Sequence, residues 1–332
     1  MNEEYSNLKI VKHLTQPVDN YGIKFIQIDL HNKCNYDCAH CSSKMYEDFS
    51  PSDSLNIDKL VEFLDYMKSC GVKAIEITGG GEPTLYKHLD ILLSDKLKSD
   101  FEFAVVTNGS MLGNSRIFNL LEGATWIRLS IDAAGHDTYK KVHNCNIDIY
   151  NVLESASKFK KANPNSTTGF SFLILKSNYQ EIYDAGRLAK EYGFDNIRYS
   201  AFYDRKGAPD MDDKLGAIKD LFLHAKELQS DSFSVFTFEE RFSELYKLSR
   251  PRFCYYSKIV TALAANGNLY RCCALKNTSE GLIASIYKEG YKEKLSSLEF
   301  PDVALCPPCW MDEKNRTANY VTSDCPKHVN FI

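Results

Sequence analysis

The stretch Asp29-Leu30-His31-Asn32-Lys33-Cys34-Asn35-Tyr36-Asp37-Cys38-Ala39-His40-Cys41 carries three cysteines, separated by three and then two residues. Three thiolates on one short loop can hold three irons of a cubic [4Fe–4S] cluster and leave the fourth iron open to a ligand that is not protein. A structural zinc site is the competing reading. Zinc takes a closed tetrahedral set, and His31 or His40 could supply the fourth ligand.

Working outward, Ile23 to Leu30 reads as a strand that delivers this loop. A second strand, Ala74-Ile75-Glu76-Ile77, runs into the turn Thr78-Gly79-Gly80-Gly81-Glu82-Pro83. The combination of Cys34, Cys38 and Cys41, His40 before the third cysteine, and Gly80-Gly81-Glu82-Pro83 resembles the radical S-adenosylmethionine (radical SAM) superfamily. The resemblance spans roughly residues 20–205. It implies that the open iron binds the amino and carboxylate groups of SAM, and that reductive cleavage yields a 5′-deoxyadenosyl radical able to take a hydrogen atom from an unactivated carbon. It also implies that Gly80, Gly81 and Glu82 present backbone groups to the SAM amino group and that His40 lies against the adenine. Glycines suit that role, because a residue without Cβ lets a ligand approach the backbone closely. A flavodoxin or ferredoxin-type electron donor is implied as well.

Six apolar runs alternate with helical patterns from 23 to about 204: Lys24–Leu30, Ala74–Thr78, Glu102–Thr107, Trp126–Ile131, Gly169–Leu175 and Asn196–Phe202. In Asn56–Ser69, Leu60, Leu64 and Met67 share a helix face, as do Ile182, Ala185, Ala189 and Tyr192 in Tyr179–Tyr192. Such repeats predict a parallel α/β sheet. The pattern alone does not separate an open sheet from a barrel. The resemblance implies a partial (β/α)6 TIM-like barrel with a small C-terminal cluster-binding domain of β-hairpin and helix.

Sites in parallel α/β folds lie beyond the C-terminal strand ends. The first four strands end in the cysteine loop, Gly79–Glu82, Thr107-Asn108-Gly109 and Ser130-Ile131-Asp132. By resemblance, Ser130 contacts SAM. Thr107 and Asn108 are weaker candidates, since Asn-Gly forms turns on its own account. Asp132 reads equally well as a helix cap.

Expected boundaries are an N-terminal extension over 1–22, the barrel over 23–205, a charged helical connector over 206–250 with a helix starting near Asp210, and an auxiliary domain over 251–332. Six of the eleven cysteines fall in that last segment: Cys254, Cys272, Cys273, Cys306, Cys309 and Cys325. Asn266-Gly267 between Ile259–Ala264 and Leu269–Cys272 signals a hairpin. Cys254, Cys272, Cys306 and Cys309 can then close a four-thiolate set, for zinc or for a fully ligated [4Fe–4S] cluster. Beside the N-terminal motif, the segment resembles the auxiliary-cluster domains called SPASM and, in shortened form, Twitch. The seventeen residues between Cys254 and Cys272 resemble the aminocyclitol (2-deoxy-scyllo-inosamine) dehydrogenases. Cys273 could replace Cys272. Cys325 could replace one ligand, or join Cys306 and Cys309 in a three-ligand cluster like that of the molybdenum-cofactor GTP cyclase, whose glycine-arginine tail this sequence lacks. Cys273 or Cys325 could also serve as a hydrogen-atom donor, as in radical epimerases. Cys70 reads as a small core residue at a helix end, and Cys145 as a loop residue without a partner motif.

A barrel that cleaves SAM, followed by a second cluster, implies hydrogen abstraction and then electron removal. The expected reaction is oxidation of a sugar or aminocyclitol-like small molecule. Epimerisation, ribosomal-peptide modification, and a non-catalytic iron–sulfur or zinc protein are the alternatives. Only about 22 residues precede the first strand, which is short for a leader-peptide domain and favours a small substrate. The net charge of −4 argues against nucleic-acid binding. No apolar run approaches a membrane span. The polar start Met1-Asn2-Glu3-Glu4-Tyr5 is not a secretory signal, so a cytoplasmic protein is expected, with clustered cysteines read as metal ligands rather than disulfides.

Overall fold

The computed structural model describes residues 9–14, 22–45, 49–202, 211–239, 242, 253–306, 309 and 311–322. Its centre is one ten-stranded sheet. The strands are β1 (Phe25–Asp29), β2 (Ala74–Thr78), β3 (Glu102–Thr107), β4 (Trp126–Ser130), β5 (Thr167–Ile174), β6 (Asn196–Ala201), β7 (Ser234–Thr237), β8 (Val260–Leu263), β9 (Asn268–Tyr270) and β10 (Leu282–Ser285). The order is β10-β9-β8-β1-β2-β3-β4-β5-β6-β7. Every pair from β8 to β7 is parallel, and β9 and β10 are antiparallel additions. The sheet does not close among the described residues, so the architecture is an open, partial TIM-like α/β barrel.

The expected strands all form, within a residue or two of their predicted ends. Alternation explains why. Ile26, Ile28, Ile75, Ile77, Ile127, Leu129, Phe170 and Ile197 are buried under the helices. Each such side chain contributes roughly 1.5–3 kcal/mol on burial. The helix Ile57–Ser69 buries Leu60, Phe63, Leu64 and Met67, and Asn56 caps it by accepting from the Lys59 N–H. The opposite face of the sheet is polar. In-register pairing puts Gln27 beside Glu76, Ser130 beside Ser171, and Ser171 beside Arg198 on that face.

Three expectations change. The connector read as helical contains the helix Leu215–Lys226 but also β7, an additional parallel strand beside β6. Of the expected helix start Asp210-Met211-Asp212-Asp213, residue 210 lies outside the described residues, and Asp212–Lys214 form a 3₁₀ turn leading into that helix. The C-terminal hairpin, expected within an auxiliary domain, shares the barrel sheet, since β8 pairs in parallel with β1. Cys70 is exposed at the C-cap of its helix, not in the core. Cys145 is half-buried against the core. From the N-terminal extension, Ile10 and Leu14 pack on Tyr255, Tyr256, Ile259 and Ala318.

Candidate radical-generating site

The cysteine loop and the glycine turn are bonded to each other at the C-terminal ends of β1 and β2. The Gly81 N–H donates to His31 O at 2.7 Å, and the Glu82 N–H donates to Lys33 O at 2.9 Å. His31 Nε2 lies 2.8 Å from Glu82 O. A Cβ on Gly81 would stand 1.9 Å from Lys33 O, and Gly80 has φ +79 with Asn32 and His31 against it. The close approach these glycines permit here is made by the chain's own cysteine loop.

Glu82 is 2% exposed. Its Oε1 accepts from Thr84 N (3.1 Å), Thr84 Oγ1 (2.6 Å) and Thr107 Oγ1 (2.6 Å), and its Oε2 accepts from Asn108 N (2.7 Å). Burial pushes this carboxyl up from its ordinary value, and the four donors oppose that shift. Thr107 and Asn108 are therefore more than turn formers. Asn108 Nδ2 also donates to Asn35 Oδ1 at 2.9 Å and lies 3.9 Å from Cys34 Sγ. One carboxylate thus joins the ends of β2 and β3, and Asn108 carries that linkage to the first cysteine.

Cys34 is exposed, while Cys38 and Cys41 are half-buried. Burial pushes the Cys34 and Cys38 thiols up, and the neighbouring thiols add to it. Cys38 Sγ lies 3.1 Å from Nδ1 of buried His143. His143 Nε2 donates to Ile131 O at 2.8 Å, so Nδ1 of the neutral ring faces the sulfur as an acceptor. Burial lowers the His143 pKa, and Asp132 opposes this. His40 Nε2 is 3.3 Å from Asp132 Oδ2. His143 carried no sequence signal, because it is far from the loop in the chain and belongs to no motif.

Asp132 is not a helix cap. Gly135 occupies the N-cap of His136–His143. Asp132 instead adopts φ +53, and its Oδ1 accepts from Leu173 N at 2.6 Å. Asn178, 1% exposed, holds this left-handed turn. Its Nδ2 donates to Asp132 O and Leu173 O, and its Oδ1 accepts from Leu175 N. Asn178→Ala should cost about 1–3 kcal/mol, since it removes the partner of one buried and two partly buried backbone groups. Denaturant unfolding of the variant checks this. Ser130 stands half-buried at the end of β4, facing Ser171.

The second cysteine group lies at the other edge of β1. Cys254, Cys272, Cys273, Cys306 and Cys309 line one pocket, together with Tyr256, Met311 and Asn315. Burial pushes up the thiols of Cys272, of Cys273 (to about 11) and of Cys309 (to about 12). After burial, Cys272 feels the thiols of Cys273, Cys254 and Cys309, and Cys309 feels those of Cys254, Cys273 and Cys306; Cys273 also feels Lys276, which lowers its pKa, and Glu76, which raises it. Lys276 pairs with buried Asp29 on β1. Cys325 lies outside the described residues.

Residues 28–199, just over half of the chain, match the sequence profile described as the Radical SAM superfamily. The chain is 30% identical over 184 residues to GTP 3′,8-cyclase of Clostridium perfringens (strain 13 / Type A), covering 53% of this chain and 55% of the relative. It is 34% identical over 108 residues to S-adenosylmethionine-dependent nucleotide dehydratase of Thermoplasmatales archaeon (strain ISO4-H5), covering 32% of this chain and 37% of the relative. The chain thus spans about half the length, or less, of these curated relatives. In structure it is similar to Streptococcus suis SuiB bound to S-adenosylmethionine, with TM-score 0.63, 16% identity, and coverage of 86% of this chain and 67% of the other. It is also similar to anSMEcpe with bound AdoMet, with TM-score 0.59, 16% identity, and coverage of 83% and 80%. Among the described residues no helix is long and apolar enough to cross a membrane. The three-cysteine loop bonded to its glycine turn, the open parallel barrel and the sequence match over 28–199 agree: the chain belongs to the radical SAM superfamily.

Proposed function

We propose that this enzyme oxidises a small polar substrate, of the sugar or aminocyclitol kind, and that it carries a second [4Fe–4S] cluster of the SPASM/Twitch type. The observation that carries the reading is the convergence of Cys254, Cys272, Cys306 and Cys309, together with Cys273, on one pocket. When bound, SAM with the first cluster supplies a 5′-deoxyadenosyl radical, and the second cluster supplies a one-electron acceptor. Cys34, Cys38 and Cys41 would hold the first cluster. Gly80, Gly81, Ser130 and His40 would contact SAM, with Glu82, Thr107 and Asn108 fixing the shape of that rim. The reductant would be a flavodoxin or ferredoxin-type protein.

The polar face of the barrel sheet supports a hydrogen-bonding substrate. Asp29 Oδ1 is buried there without a hydrogen-bond partner, and its Oδ2 is held by Lys276. Arg128 lies 3.6 Å from Glu76 and stacks over Trp126. A second reading, radical rearrangement of a nucleotide, is favoured by the names of the curated relatives and by Arg128 and Arg198 on that face. Cys273, beside Lys276 and Glu76, would be the hydrogen donor if the outcome were epimerisation. Ribosomal-peptide modification is the reading suggested by the peptide-bound structural neighbour.

Anaerobically reconstituted protein should bind about eight irons, as two cubanes, and release 5′-deoxyadenosine from SAM with dithionite. The Cys34/Cys38/Cys41→Ala triple variant should retain about four irons and release none. Wild-type protein holding only four irons, or zinc, would remove the second cluster. Failure to release 5′-deoxyadenosine would remove the enzyme reading.

A further inference from the structure

The segment that carries Cys254 is gripped by two asparagines from one helix face. Asn315 and Asn319 are four residues apart on the helix Asp312–Thr322 and so lie one above the other. Asn319 Oδ1 accepts from Phe253 N at 3.3 Å, and its Nδ2 donates to Phe253 O at 2.8 Å. Asn315 Oδ1 accepts from Tyr256 N at 3.0 Å. That contact fixes the amide orientation, because a backbone N–H needs an acceptor. The Asn315 Nδ2 is thereby turned to Cys254 Sγ, 3.5 Å away. Asn315 itself is 1% exposed, so its amide is held in place by the packing around it, while Cys254 is half-buried.

We infer that Asn315 is a positioning residue that donates a hydrogen bond to the Cys254 sulfur and raises the reduction potential of the cluster held there. The inference rests on the two-cluster reading above and deepens it. Hydrogen bonds to ligand sulfurs, with burial and cluster charge, set iron–sulfur potentials. A donor stabilises the more negative, reduced state of a thiolate-ligated cluster more than the oxidised one. Nothing in the Cys254 motif itself reveals this. The donor stands 61 residues away in the chain, on a helix whose other asparagine holds only backbone.

The test is a potentiometric titration followed by electron paramagnetic resonance on the reconstituted protein, with iron counted in each sample. Asn315→Leu removes the donor and keeps the volume. Asn315→Asp, titrated at pH 9, keeps the acceptor for Tyr256 N and places an oxygen against the sulfur. Both should retain about eight irons. Each should lower one of the two midpoint potentials by about tenfold in the electron-accepting equilibrium, about 59 mV for one electron, and leave the other unchanged. Asn319→Leu removes the clamp on Phe253 and should leave both potentials in place. Unchanged potentials at full iron content in the Asn315 variants would overturn the inference. So would loss of four irons in both, or an equal fall in Asn319→Leu, since either makes Asn315 only a clamp. Wild-type protein with four irons would instead defeat the two-cluster reading, and this one with it.

Discussion

Gly81→Ala is expected to abolish SAM cleavage. The new Cβ would lie 1.9 Å from Lys33 O and 2.7 Å from Asn32 C, both backbone atoms of the cysteine loop. No side-chain rotation relieves such contacts, so the turn and the loop must separate. Separation breaks the Gly81 N–H to His31 O and Glu82 N–H to Lys33 O hydrogen bonds. Those two bonds set the height of the cysteine loop above β2. Their net worth is only about 0.5–1.5 kcal/mol each, so the protein should still fold. The site should not survive, because three thiolates must meet three irons within a few tenths of an ångström. The expected result is loss of 5′-deoxyadenosine formation and a fall from about eight irons to about four. Gly216→Ala is the control. Its Cβ meets nothing within 4 Å, and it lies in the helix Leu215–Lys226. Full activity in Gly81→Ala would mean that the loop and the turn do not depend on this contact.

The sequence disclosed what local pattern encodes. Strands β1 to β6 are legible because apolar side chains alternate under the helices, and the rim because each of the first four strands runs into Cys, Gly, Asn or Asp. β7 was hidden because Ser234–Thr237 is four residues long and sits in a charged stretch, where alternation is too short to register. The sharing of one sheet by the hairpin and the barrel could not be read either. β8 pairs with β1 across more than two hundred residues, and pairing partners leave no local mark. The same holds for His143 against Cys38 and Asn315 against Cys254. Each is a single polar residue on a helix whose meaning comes from what the fold brings near it. Glu82 is the intermediate case. The motif made it visible, but its role here is set by Thr107 and Asn108 from the next strand.

That role makes Glu82 the second site of large effect. Four donors converge on its two oxygens, and two of them are the backbone N–H groups of Thr84 and Asn108, which cannot turn away. Glu82→Ala leaves both buried and unsatisfied, a loss of about 2–5 kcal/mol. Glu82→Gln keeps the shape but not the chemistry. Its amide NH2 must replace either Oε1, opposite Thr84 N, or Oε2, opposite Asn108 N, and in each place a donor meets a donor. Glutamine should therefore rescue little of the stability lost in alanine. Both variants should also weaken SAM binding at least about tenfold, a loss of about 1.4 kcal/mol. The reason is that Asn108, freed from Glu82, no longer holds Asn35 and the Cys34 end of the loop. Thermal unfolding read together with SAM binding separates this role from direct ligand contact. A Glu82→Gln protein with wild-type stability and lost SAM binding would show that the carboxylate works on the ligand. Loss of both together, with glutamine close to alanine, would show that Glu82 works by joining β2 to β3.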